Sequence, residues 1–63
     1  FAKLWAHPRV EDVESEGLDD GRFFVHLRPG WSFRYDPMNY TRTKSFSRVA
    51  DALSEVKRAR ETN

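Results

Sequence analysis

The chain has 63 residues, no cysteine and a net charge of only +1. That length bounds it to one domain with a small core, the missing cysteines exclude a disulfide framework and favour a reducing, cytoplasmic setting, and the near-neutral balance excludes a generic polycation. No apolar run approaches the length of a membrane span, and the opening FAKLWAH is too short and too polar for a signal peptide.

The charge is unevenly distributed. Residues 11–20 carry Glu11, Asp12, Glu14, Glu16, Asp19 and Asp20 with no base, whereas residues 22–48 carry Arg22, Arg28, Arg34, Arg42, Lys44 and Arg48 against Asp36 alone.

In chain order, residues 1–8 place Phe1, Leu4 and Trp5 at helical spacing until Pro8 disfavours helix at His7. The expectation is a short N-terminal arm whose Trp5 packs across an open edge of the core or anchors a partner. In RVEDVESE, residues 9–16, the apolar Val10 and Val13 stand three apart rather than two. A strand there needs a bulge or an edge position, and its carboxylates suit an edge that resists pairing with other chains. Leu18-Asp19-Asp20-Gly21 then carries the Asp-Gly signal of a hairpin turn.

Residues 22–28, RFFVHLR, alternate strictly, with Phe23, Val25 and Leu27 on one face and Arg22, Phe24, His26 and Arg28 on the other. Arg28-Pro29-Gly30-Trp31 reads as a compact turn, with proline fixing φ at its first central position and glycine supplying positive φ at its second. WSFRY, residues 31–35, alternates again, with Trp31, Phe33 and Tyr35 inward and Ser32 and Arg34 outward. Asp36-Pro37-Met38-Asn39 breaks the run, and TRTK, residues 41–44, resumes as an extended segment.

From 45 to 62, Phe46, Val49, Ala52, Leu53, Val56 and Ala59 keep a helical period on one face. Ser47 is the expected N-cap, Lys57, Arg58 and Arg60 suit the negative end of the helix dipole, and Arg58 falls on the solvent side. Such a stripe needs a cover, and the strands supply it. The expected architecture is one α+β domain over residues 1–63, in two layers: an arm (1–8), a three- or four-stranded antiparallel sheet (9–44), and one C-terminal amphipathic helix (45–62) packed on one face, in the order β-β-β-α.

Catalysis has little support. Nucleophilic chemistry needs a cysteine, or a serine with a base and an orienting group, and the acids of 11–20 sit on a polar edge with nothing to desolvate them. His7, His26 and the Asp19-Asp20 turn lack the paired spacing of a metal site, and the glycines form no phosphate loop, so no metal or cofactor is implied. What is left is the outward sheet face, where Arg22, Phe24, His26, Arg28 and Arg34 converge, with Arg42 and Lys44 joining from the extended segment. Guanidinium groups mixed with an aromatic ring are what a small nucleic-acid-binding sheet presents. The expected function is therefore a non-enzymatic module that binds nucleic acid, DNA foremost, through that face. Against this, the same arginines can pair across the sheet with Glu11, Asp12, Glu14 or Glu16.

The competing class is a protein-interaction or inhibitor domain, of the kind found among phage or plasmid accessory proteins, with Trp5, Phe24 and Trp31 as its contacts. A homodimer that covers a sheet edge is the third reading. In layout, GRFFVHLRPGWSFRY followed by TKSFSRVADALSEVKRA, residues 21–60, resembles the three-strands-then-helix domains at the amino end of phage integrases. That resemblance implies a sheet docked on DNA. The DPMNYTRT connection and the acidic first strand depart from the layout.

Overall fold

A computed structural model describes residues 1–15, 21–36 and 39–61, and the fold is α+β as expected. The order of elements is α1 (Ala2–Trp5), β1 (Val10–Glu14), β2 (Phe23–Leu27), β3 (Trp31–Asp36), β4 (Asn39–Thr41), β5 (Thr43–Phe46), α2 (Val49–Arg58) and β6 (Arg60–Glu61). The strands do not make the single sheet the sequence led us to expect. They divide into two antiparallel three-stranded sheets, ordered β1-β2-β5 and β4-β3-β6.

The division follows from two tight corners. At the first, Arg28-Pro29-Gly30-Trp31 forms the expected turn, with the Trp31 amide donating to the Arg28 carbonyl at 3.1 Å. Gly30 has φ of 93°, a left-handed conformation that glycine adopts without strain. The turn does not close a hairpin: it carries the chain from the first sheet into β3 of the second. The second corner returns the chain through Thr41-Arg42-Thr43, where the Thr41 hydroxyl donates to the Thr43 carbonyl at 2.8 Å and accepts its amide at 3.2 Å.

The acidic first strand forms as its spacing dictates. β1 is an edge strand, its register shifts between Val10 and Asp12, and that bulge lets both valines three apart reach the core. Gly21, at the end of the expected hairpin turn, has φ of 75°; residues 18–20 of that turn lie outside the described part.

The core contains Leu4, Val10, Val13, Phe23, Val25, Leu27, Phe33, Phe46, Ala52, Val56 and Ala59, with Trp31, Val49 and Leu53 packed against it. Phe33 and Phe46, one from each sheet, meet edge to face at 5.5 Å. The inward faces expected for β2 and for Phe33 are therefore inward, while the Tyr35 side chain is outside the described part. The arm differs from expectation. Leu4, not Trp5, is its buried anchor, and Trp5 is 51% exposed.

The helix is shorter than its apolar period. Phe46 is buried, but on β5 rather than on a helix, because residues 43–46 pair with β2. Phe46 satisfies both a period of two with Lys44 and a helical spacing to Val49, and the open edge of β2 takes it. Ser47 is consequently outside α2, whose N-cap is Arg48 with no side-chain cap. At the other end Ala59 turns extended (ψ 144°), and Arg60–Glu61 pairs with β3 as β6 instead of continuing the helix.

One half-buried arginine helps explain that stop, since the sequence offers neither glycine nor proline there. The Arg9 Nη1 donates to the carbonyls of Val56 (3.2 Å), Lys57 (3.1 Å) and Ala59 (3.4 Å), at a helix end where carbonyls run short of backbone donors, although that of Val56 also accepts the Ala59 amide at 3.1 Å. Its guanidinium lies 4.0 Å from the centre of the Trp31 ring. Among the described residues, no helix is long and apolar enough to cross a membrane.

Candidate functional site

The residues expected to form one basic face are distributed over four places. On the outward side of the first sheet, β2 presents Phe24, 36% exposed, and His26. Register sets Phe24 between Glu14 of β1 and Ser45 of β5, and His26 between Asp12 and Thr43. Cross-strand partners share a face, so β1 brings two carboxylates onto it. His26 Nε2 lies 3.3 Å from Glu14 Oε2 and its Nδ1 3.0 Å from Thr43 Oγ1. Arg22 and Arg28 flank the strand, both exposed.

Arg42 belongs to the second corner. Its side chain reaches the Leu27 carbonyl at 3.4 Å and the Glu11 carboxylate at 3.9 Å, so it fastens β2, β1 and the β4–β5 corner together. Lys44 is on the opposite side from the one expected. It is paired in register with the buried Val25, sits 5.6 Å from the Phe46 ring and reaches Glu55 of α2 at 3.8 Å. The alternation of β5 is the cause: Thr43 and Ser45 face out, which turns Lys44 and Phe46 toward the helix.

Arg34 is in the second sheet, apart from the β2 face. It lines a cleft of about 450 Å³ together with Glu55, Arg58 and Arg60. Arg34 comes from β3, Arg60 from β6, and Glu55 and Arg58 from one flank of α2, where a spacing of three places them one above the other. Among the described residues, no carboxylate lies within ion-pair distance of these three guanidinium groups, and Glu55 is paired with Lys44 instead. Arg58 is exposed on the solvent side of α2, as the helical pattern implied, and it also lines this basic cleft.

Beside the cleft, in the stretch expected to be a connection, the chain forms a further strand. DPMNYTRT contains β4, whose Tyr40 pairs in register with Arg34 and is 41% exposed. On the same sheet Ser32, buried, pairs with Arg60. Cross-strand partners and alternate residues along β3 share one face, so Arg60, Ser32, Arg34 and Tyr40 form a row across the three strands. The missed signal is the Asn39-Tyr40-Thr41 run after a two-residue break, whose tyrosine and threonine favour a strand.

Of the residues considered as protein contacts, Trp5 and Phe24 are exposed, and Trp31 is half-buried under Arg9. Among the described residues, no group of three His, Asp or Glu side chains is placed to hold a metal ion. Comparison of the chain with protein-family profiles, with curated proteins and with solved structures finds no match.

Proposed function

We propose that the protein is a non-enzymatic binding module for nucleic acid, and that its phosphate contacts lie in the cleft of Arg34, Arg58 and Arg60 rather than on the outward face of the first sheet. The observation that carries this reading is the convergence of three arginines from β3, α2 and β6 on one concavity, with no described carboxylate within ion-pair distance. Guanidinium forks match phosphate oxygens in pairs, and a concave wall concentrates their field on a polyanion. The first sheet presents a weaker case, because Glu14 and Asp12 stand beside Phe24 and His26.

The test is a titration of labelled DNA and RNA across a series of salt concentrations. Three phosphate contacts give a log–log slope of about −2 for single strands and about −3 for duplex. Arg34→Glu and Arg58→Glu are expected to weaken binding to all sequences and flatten the slope, while Arg28→Glu, at the end of β2, changes little. The reverse pattern moves the site to the first sheet. Absence of any salt-sensitive retention of DNA or RNA overturns the nucleic-acid reading, and recovery of a protein partner in that case leaves an interaction domain.

A further inference from the structure

The arginine cleft explains attraction to phosphate and nothing about which form of nucleic acid carries it. Tyr40 bears on that question. Its register with Arg34 puts the ring and the guanidinium on one face of adjacent strands, where Cβ atoms of opposed residues lie about 4.5–5.5 Å apart. The ring is 41% exposed, a large aromatic surface left toward solvent beside the basic groups. The cleft, about 450 Å³, lies within the range of roughly 300–1,000 Å³ that small-ligand pockets occupy.

From this we infer that the cleft takes single-stranded nucleic acid, one base stacking on Tyr40 while the adjoining phosphates run past Arg34, Arg58 and Arg60; the inference rests on the phosphate-binding reading above. Basic grooves with an aromatic platform are how proteins hold single strands, because every base has a π-face and every nucleotide a charge. A duplex offers the phosphates but not the base face, which its own stacking conceals. Phe24 is a poor second platform. It is exposed to a similar degree, but its cross-strand neighbour is Glu14, whose charge repels a passing backbone. Among the described residues Glu55 is the one acid lining the cleft, and the Lys44 ammonium 3.8 Å away offsets it.

The experiment uses anisotropy titrations of the intact chain with single-stranded DNA, single-stranded RNA and the corresponding duplex, comparing the parent with Tyr40→Leu, Tyr40→Phe and Arg34→Glu. Single strands of one or both sugars are expected to bind at least about tenfold more tightly than duplex. Tyr40→Leu is expected to lose about tenfold or more of that affinity with its salt slope unchanged, since no charge is removed, and Tyr40→Phe to keep it. Arg34→Glu, by contrast, flattens the slope. A parallel NMR titration of the parent reads the same contact without a substitution, through an upfield ring-current shift of the Tyr40 ring protons. Equal affinity for duplex and single strand, or a Tyr40 ring signal that does not move while binding saturates, overturns the single-strand inference and leaves the phosphate reading standing. Failure of every strand to bind overturns both.

Discussion

His7 shows how one side chain couples the fold to pH. Burial, with the positive charges of Arg9 and Lys57 added to it, holds the His7 imidazole below its ordinary value of 6.5. Its Nδ1 accepts the Arg9 amide at 3.2 Å, a bond that needs the unprotonated nitrogen. The folded state therefore favours neutral His7, whereas the unfolded chain takes up a proton near pH 6.5. The corresponding stability is fully present above that pH and is lost as pH falls through 6.5 toward the lower folded value. Melting temperatures measured from about pH 7.5 down to pH 5 are expected to decline less steeply for His7→Asn than for the parent, because asparagine keeps an acceptor for the Arg9 amide and binds no proton. His26 is present in both proteins, so the difference belongs to His7. Parallel profiles would show that His7 titrates alike in both states. Nothing in FAKLWAHPRV signalled this, since a histidine before a proline looks the same exposed or half-buried.

At the level of elements, α2 divides into a buried and a half-buried part. Ala52 and Val56 are fully buried, while Leu53 is only half-buried. Truncation should cost accordingly. Val56→Ala removes two buried carbons and leaves a cavity, about 2 kcal/mol or more, which lowers the melting temperature of a domain this size by roughly 8–16 °C. Leu53→Ala removes more atoms from a site already in contact with water, so its shift is expected to be the smaller of the two. A larger loss for Leu53 would mean that the helix is rotated from its described orientation. The helical face was legible because the period of 3.6 depends on side chains alone. The helix ends were not, because they are decided by partners distant in sequence: β2 claims Phe46, and β3 and Arg9 claim the stretch after Arg58. For the same reason the outward positions of β2 were legible, but their acidic neighbours depended on strand order. The arginine cleft required three elements to meet, and alternation within one strand carries no record of that. Lys44 was misplaced and the strand that carries Tyr40 was missed, both in the segment whose strand pairing the sequence leaves open.

The molecule as a whole consists of two small sheets that share a core but no strand. Arg9 bears on how the two are coupled. Its carbonyl accepts the Arg28 amide at 2.9 Å at the end of the first sheet, its guanidinium covers Trp31 of the second, and its Nη1 holds the last carbonyls of α2 where β6 begins. A charged donor to carbonyls contributes about 1.5–3 kcal/mol and the ring contact about 0.5–1 kcal/mol more, a large part of the few kcal/mol available to a chain of this length. Arg9→Met keeps the stem and removes both. Arg9→Lys keeps the charge but has no planar fork to stack on the ring and reach several carbonyls at once, so it should recover only part of the loss. If Arg9 joins the sheets, hydrogen exchange in Arg9→Met should accelerate first at β6, β3 and the last turn of α2, with β1 and β2 protected longer. Because Arg34, Arg58 and Arg60 stand on those loosened elements, the nucleic-acid binding we propose for the cleft should weaken in the same variant although no cleft arginine has changed. Uniform acceleration across both sheets would make the molecule one cooperative unit, with Arg9 only one contributor among many.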